Sequence, residues 1–450
     1  MTYSPGMFYV APNLGLDTSA QWHKRPSTLV GLVLLAALLP YIKLGPIGLP
    51  SEVQAWSALL AWTAIFFFAV RQRLLMNRFH IVILAFSFVF IVYIPFDGFI
   101  EIGQYLRKSI SFIMSVSIAV IARFLYPVQT LKLLKFATVL WLIFAILGQV
   151  APSSYQQIVT KFVPGALGVF GNRGVTSLAP EATDFGFTMV YFWMLTVLAS
   201  IASQARGGPA APTWLYVAIF VNIGLSRAGA GIMAVAVLVL VYQFSVDRQT
   251  GRNLISGKSI MITLAVFVVF VIGIMFMPQT GIRGLDLLVI LVQTPGDLIQ
   301  TTTLSYRIVH NMVGFYGLLE SYLLGYGAGT FTVLGPELYY ASTISDTLGL
   351  QGWYRSNMIS TLHTSPLATF PVIFFEYGIL GVIFVVYIFV AILRSDQPAK
   401  YVVAALLFMT WAQSFPVAYP MFWLLLGMHK NPHFSCRRRL TERQDTRDRM

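Results

Sequence analysis

Apolar stretches close to 20 residues long, repeated along the chain, limit this sequence more than any other feature. They fall near residues 28–47, 53–70, 80–96, 109–127, 131–150, 184–203, 212–225, 228–246, 258–277 and 368–393. A bilayer core about 30 Å thick takes roughly 20 apolar residues of helix, because the backbone there must satisfy its own hydrogen bonds. A further apolar stretch, 401–428, is interrupted by Pro416 and Pro420 and reads as a pair of short or re-entrant helices. Composition removes the alternatives. Apolar residues make up 57% of the 450 and charged residues only 10%, against about 25% charged in soluble domains. Too little polar surface remains to coat a soluble core. The one cysteine, Cys436, excludes a disulfide scaffold, and no low-complexity tract suggests disorder. The expected fold is an all-α integral membrane protein of about 12 transmembrane helices, with a long outer loop between helices nine and ten.

The net charge of +13 admits nucleic acid as a partner until the charges are sorted by loop. With the amino terminus inside, more than two-thirds of the 30 Lys and Arg fall on the inner side, while acidic residues favour the outer side. This is the positive-inside pattern. The basic tail around Cys436-Arg437-Arg438-Arg439 therefore reads as topology and anionic-lipid contact, with no nucleic acid. The expected organisation is a cytoplasmic tail over 1–27, a polytopic membrane domain over 28–428 and a basic cytoplasmic tail over 429–450. No apolar core of a signal peptide precedes the first span. Two outer segments, about 151–183 and 278–367, exceed what a connector needs. Within the second, 285–292 and 304–325 read as helices. There Leu304, Ile308, Met312, Phe315 and Leu319 form an apolar stripe that lies on the membrane or against the bundle.

Ion-coupled transport is disfavoured, since the spans hold almost no ionisable residue at mid-depth and no inverted repeat is visible. Glu376, close to the outer end of span ten, is the nearest candidate. Arg227 stands at the tight turn between spans seven and eight, against the charge bias and among small residues that allow close helix packing. It reads either as an anion ligand or as an arginine reaching lipid phosphates. Arg307 lies on the loop helix, with His310 nearby and Asn311 one turn later; it reads as an anion ligand or as an exposed residue of an amphipathic helix. Arg173 and Glu181 frame NRGVTSLAPEATDFG, where a loop ion pair explains them equally well. Of six histidines only His310 and His363 face outward, and a neutral imidazole near pH 7 can take a proton from a hydroxyl. His310 shares its helix with Arg307, whose cation is expected to make it the poorer base. Arginine forks suit bidentate binding of a diphosphate. No metal-ligand spacing or glycine-rich phosphate loop is present, and no cofactor is expected. The set fits anion binding plus one base, as transfer from a diphosphate donor requires.

Three blocks carry a family likeness: GLSRAGAGIMAVAVLVLVY at 224–242, SYRIVHNMVGFYGLLESYLLGYGAGTF at 305–331, and HTSPLATFPVIFFEYGILG at 363–381. In this order they resemble the O-antigen ligase and O-antigen (exopolysaccharide) polymerase superfamily of bacterial inner-membrane glycan transferases. The chain departs from the family at His363-Thr364, where His-Asn is usual; the His-Asn pair present is His310-Asn311. Ala228 also stands where Gly is commoner, and Pro180-Glu181-Ala182-Thr183 replaces a Glu-Pro-Ser block. The base thus stays open between His363 and His310. The resemblance implies a GT-C-like, metal-independent inverting glycosyltransferase of the inner membrane, with its active surface and long loop in the periplasm and both termini cytoplasmic. Its implied donor is an undecaprenyl-diphosphate-linked saccharide. Arg227 and Arg307 would hold the diphosphate and His363 would act on the acceptor hydroxyl. Arg173, Glu181, His310 and Asn311 would contact substrate. The implied acceptor is another glycan in a polymerase or lipid A core in a ligase. A non-catalytic glycan or lipid transporter, or a scaffold, is the third reading.

Overall fold

The computed structural model describes residues 28–43, 53–71, 76–93, 102–164, 174–228, 303–350, 353–364, 369–395, 399–413 and 418–434, together with isolated positions elsewhere. All regular structure among the described residues is helical. The helices are α1 (Thr28–Leu38), α2 (Trp56–Val70), α3 (Arg78–Val92), α4 (Ile102–Ala122), α5 (Pro127–Val150), α6 (Pro152–Phe162), α7 (Ala182–Gln204) and α8 (Thr213–Ser226). After a long interval come α9 (Thr303–Glu320), α10 (Phe331–Ala341), α11 (Ile344–Thr347), α12 (Trp353–Thr364), α13 (Thr369–Leu393), α14 (Lys400–Gln413) and α15 (Pro420–His429). Local chemistry sets several of the starts. Proline opens α5, α6 and α15, where the missing N–H would have no helical partner anyway. The Asn77 side chain caps α3 by accepting from the His80 N–H at 2.9 Å.

Three helices, α5, α7 and α13, are long and apolar enough to cross a membrane. They differ in how much neighbouring helices cover them. The apolar stretch of α7 is 83% buried, whereas that of α5 is only 33% buried. α7 packs against α5, α8 and α15, and α4 packs against α2, α3 and α15. The uncovered side of α5 carries Phe136, Val139, Ile143 and Ile146. A face so apolar on a helix of that length suits hydrocarbon, not water. The chain is an all-α membrane protein. The other expected spans that are described, α1 to α4, α8 and α14, include shorter apolar helices. The stretch 228–246 is described only in part, and 258–277 and Cys436 lie outside the described residues. The proline-interrupted 401–428 forms two helices, α14 and α15.

α9 buries one face against α13 and leaves part of the apolar stripe, expected on the membrane or against the bundle, uncovered. Val309, His310, Val313 and Leu318 are buried, while Phe315 and Leu319, from the expected stripe, are 49% and 67% exposed. The reason is close backbone approach to α13. A Cβ on Gly314 would stand 2.3 Å from the Pro371 Cα, and one on Gly317 would stand 2.3 Å from the Phe375 ring. Small residues bring the two backbones together, and Phe315, although half exposed, still meets the Phe374 ring at 5.2 Å. The helix also ends at Glu320, ahead of the expected 325, because Tyr322 and Leu323 take left-handed φ of 51° and 66°.

α13 itself is broken. Gly378 has φ 54° and ψ −134°, so its helix stops and restarts there. The segment after α9 fills the gap: Tyr326 N–H donates to the Phe375 carbonyl at 2.9 Å, Gly327 N–H to Glu376 at 2.8 Å, and Ile379 N–H to Leu323 at 2.7 Å. The Tyr93 hydroxyl, at the end of α3, donates to the Leu324 carbonyl. Gly325 is required because a Cβ there would meet the Gly378 nitrogen at 2.4 Å. A small second core of Val309, Val313, Phe331, Met358, Leu362 and Phe375 completes the joint among α9, α10, α12 and α13.

Gly314→Ala is therefore expected to destabilise the fold by about 1–3 kcal/mol, as overpacked cores do. Gly224→Ala, with nothing within 4 Å of the added carbon, should cost nothing or add slight stability. Thermal unfolding of the two variants in detergent compares them directly; equal midpoints would contradict the α9–α13 contact.

Candidate functional site

Arg227 is the residue at which α8 stops. Its φ of 48° puts it in the left-handed region, and its N–H donates back to the Gly224 carbonyl at 3.1 Å. A non-glycine residue held there is strained, and strain of this kind collects where surrounding structure fixes a turn. Two neighbours fix this one. Gly174, φ 80°, lies so close that a Cβ would reach the Ser226 carbonyl oxygen at 2.2 Å and the Arg227 Cβ at 2.9 Å. Gly186, in the first turns of α7, approaches from the other side, where a Cβ would stand 2.9 Å from Ala228 and 3.0 Å from the Ser226 hydroxyl. The segment carrying Gly174 is itself tied down. Val175 N–H donates to the Leu225 carbonyl, the Tyr155 hydroxyl reaches the Thr176 hydroxyl and the Ser177 carbonyl, and the Ser177 hydroxyl donates to the Trp141 carbonyl. Arg173 lies outside the described residues, but its neighbour Gly174 sits on the Arg227 turn. Glu181 occupies the position before α7, exposed and without a capping hydrogen bond from its side chain.

Along α7 a polar stripe runs inward from this turn that sequence reading did not single out. Asp184, Thr188 and Tyr191 follow at the i, i+4, i+7 spacing of one helix face. The Thr188 hydroxyl donates to the Asp184 carbonyl at 2.6 Å, which leaves its oxygen to accept from the Tyr419 hydroxyl at 2.7 Å. The Thr410 hydroxyl donates to Leu406, so the Tyr191 hydroxyl donates to Thr410 at 2.8 Å. Tyr41 stacks loosely against Tyr419, with ring centres 6.2 Å apart. The signal was in the sequence as hydroxyl residues on a helical spacing, but apolar neighbours on every side masked it.

The second group of candidates is on α9 and α12. Arg307 is half-buried, and its carbonyl accepts from the Asn311 amide one turn later at 2.8 Å. The same Asn311 amide donates at 2.8 Å to the carbonyl of Ala412, near the end of α14. Ala412 thus meets Asn311, and Tyr419, seven residues further along the chain, meets the α7 stripe. The two histidines stand in different surroundings. His310 is fully buried, its ring 5.9 Å from that of Phe331 and its Nε2 3.4 Å from the Thr361 hydroxyl. His363, two residues beyond Thr361 at the end of α12, is exposed. Burial pushes the His310 imidazole down to about 4, and Arg307 is not among the causes. The packing around Phe331 and Thr361, in place of the expected Arg307 cation, keeps His310 neutral.

Glu376 enters the site region through the break in α13. Its side chain is fully buried, the backbone N–H groups of Gly329 and Phe331 point at the carboxylate, and half-buried Lys108 lies within Coulombic reach. Within the glycine-rich run 325–329, Gly329 thus faces a carboxylate, while the N–H groups of 325, 326 and 327 pair with the Ser321 hydroxyl and the Phe375 and Glu376 carbonyls.

The buried His310 sets a pH dependence. Unfolded, an imidazole titrates near 6.5; folded, this one titrates near 4. As pH falls through that window, protons bind the unfolded chain preferentially and stability is lost. The expected loss between about pH 7.5 and 5 is about 2 kcal/mol. His310→Gln should remove that part of the slope in pH-dependent unfolding, and parallel curves for the two proteins would contradict a neutral buried imidazole.

A comparison with protein-family models finds none that matches the chain. A comparison with curated proteins likewise finds no match.

Proposed function

We propose that the chain is a polysaccharide polymerase of the bacterial inner membrane. It would transfer an undecaprenyl-diphosphate-linked glycan to the hydroxyl of an acceptor glycan on the periplasmic side, as a metal-independent inverting glycosyltransferase. One observation carries the reading. The Arg227 turn and the Arg307 helix, from two of the blocks that resemble the ligase and polymerase superfamily, reach residues close together in the chain, the first Tyr419 through α7 and the second Ala412 through Asn311. Two arginines on such a frame suit a diphosphate, whose charge grows on the leaving group during transfer. Exposed His363 is the accessible base for the acceptor hydroxyl, while His310 supports the helix packing behind Arg307. Asn311, Glu181 and Arg173 belong to the substrate surround.

In this reading Arg227→Lys and Arg307→Lys keep the charge but lose the fork. Each should lower transfer about 30- to 1000-fold, the scale of one charge-assisted contact at a developing charge. His363→Ala should lower it about 100- to 10,000-fold with donor binding retained. Purified protein with lipid-linked repeat units and a gel of the products measures all three. Near wild-type chain growth by both lysine variants sinks the diphosphate clamp. A product joined to lipid A core identifies a ligase.

Orientation has its own test. Tyr322, 89% exposed at the end of α9, should label from outside as Tyr322→Cys, while native Cys436 should not label in intact cells. External labelling of Cys436 would reverse the topology.

One observation favours the transporter reading: a buried carboxylate beside a broken helix, as at Glu376 and Gly378, is how many transporters build a binding site. A transporter moves the lipid-linked glycan without lengthening it, so the same gel separates the two.

A further inference from the structure

α13 does not continue as one rod past Gly378. A Cβ on Gly381 would stand 2.4 Å from the Ile373 carbonyl oxygen, and the rings of Phe370 and Phe389 are 6.4 Å apart. A straight helix would separate those two rings by about 28 Å. The stretch 369–377 therefore lies back along 379–393, with Gly378 at the bend. Its far end reaches α14, where the Phe370 ring meets Phe408 at 5.5 Å and Trp411 at 5.6 Å. α9 runs beside this stretch in the same direction: Gly314 lies on Pro371, Gly317 on Phe375 and Gly325 on Gly378. The two helices reach the bend together.

The height of the bend is fixed by α3. At the end of α3 the Tyr93 hydroxyl donates to Leu324, and Phe90 stacks on Tyr377 with ring centres 4.0 Å apart. At its start Phe79 stacks on Tyr387 at 6.0 Å. α3 falls in an expected span and has 15 residues. That is about 22 Å of helix against about 30 Å of hydrocarbon, so a bend level with its end cannot stand clear of the bilayer. Phe370 lies about 12 Å further in along the helix. Asn311 on α9 meets Ala412, the neighbour of Trp411, at that same depth.

The surface of α9 suits that position. Phe315 and Leu319 lie one turn apart on its uncovered side. From Phe315 the rings of Phe374, Phe370 and Phe408 follow at 5.2, 5.7 and 5.5 Å, and Phe408 on α14 is 58% exposed. The apolar surface is therefore continuous from α9 to an expected span, whose uncovered side meets acyl chains. Polar groups return next to the bend, where exposed Glu320 accepts from the Tyr316 hydroxyl at 2.8 Å and Tyr322 projects outward. Tyrosine favours such a boundary between hydrocarbon and water.

We propose that α9 and the first half of α13 form a re-entrant pair inside one leaflet, with Phe315 and Leu319 against its acyl chains and Tyr322 at its headgroups. By the sorting of Lys and Arg along the sequence this is the outer leaflet. Part of the segment expected as an outer loop, 278–367, then lies in the membrane. The contact belongs to the fold and holds whether or not the chain transfers glycan.

The test uses the full chain carrying Cys436→Ser, in nanodiscs of phosphatidylglycerol and phosphatidylcholine, with one nitroxide label per variant. Labels go on Phe315→Cys, Leu319→Cys and Tyr322→Cys, and on Ile143→Cys from the uncovered side of α5 as the lipid reference. Power saturation reads how often each label collides with dissolved oxygen, which concentrates in hydrocarbon, and with a water-soluble nickel chelate. The labels at Phe315 and Leu319 should favour oxygen as the one at Ile143 does, more strongly at the deeper Phe315, while the label at Tyr322 should meet nickel. Leu319 is mostly exposed, so its replacement keeps the fold even where Phe315→Cys loosens the Phe374 contact. Preference for nickel at Phe315 and Leu319 places α9 in water and overturns the proposal. Shielding from both reagents means that another stretch of this chain, or a second copy, covers the face, and overturns the lipid contact. Loss of glycan transfer leaves these collision readings unchanged, so the two proposals fail separately.

Discussion

A helix broken inside an apolar protein leaves carbonyl and N–H groups that no water can satisfy, and the arrangement around α13 follows from how those groups are matched. The break at Gly378 frees backbone groups between Phe375 and Ile379, and the segment 323–327 takes them up. That pairing requires backbone to lie against backbone, which only glycine at 325 and 378 allows. It also requires α9 to lie flush along α13, which Gly314 and Gly317 allow. Once α9 is fixed in this way, the placement of Arg307, His310 and Asn311 is settled along with it. The same close contact buries the Glu376 carboxylate, and the amides at the start of α10 then serve as its partners. One unsatisfied turn of helix thereby accounts for two glycine-rich stretches and the position of three candidate site residues.

The Arg227 turn obeys the same logic with different residues. Here α8 ends in a left-handed arginine, and Gly174 and Gly186 bring two backbones against it. A strained residue persists only when its surroundings leave it no alternative. The Tyr155–Thr176–Ser177–Trp141 set of hydrogen bonds supplies that constraint, because it anchors the segment bearing Gly174 to α5 and α6. Trp141 in turn donates to the Leu38 carbonyl at 3.2 Å, so the constraint extends to α1. The rigidity of the turn is drawn from the oldest part of the bundle in chain order, well before α9 is made.

Much of the helical layout was legible because the bilayer imposes it: length, apolarity and proline are enough to locate α5, α7, α13 and the split between α14 and α15. The buried face of α9 was not legible. A stripe of large apolar residues is the usual sign of an interface in water, but between helices in an apolar protein the small residues mark the closest contact, and Phe315 and Leu319 stay largely uncovered. Glycine-rich runs were ambiguous for a related reason. Gly325 and Gly378 serve a backbone pairing whose partners lie some fifty residues apart, and no local pattern reports that. Exposure was equally hidden: His310 and His363 look alike in sequence, yet one is enclosed by Phe331 and Thr361 and the other is open.

In the proposed function, that difference in exposure bears on how two arginines and a base can share one site. Beside two arginines an imidazole holds a proton weakly and is a poor base. His310 escapes the conflict by burial, which keeps it neutral and removes it from the reacting surface. His363 escapes it by standing on a different helix, which packs on the arginine helix through Met358, Leu362 and the Thr361–His310 contact. The packing of α12 on α9 thus gives the two histidines different surroundings: one ring is enclosed between the helices, and the other faces solvent, which in the proposed function leaves it for the acceptor hydroxyl.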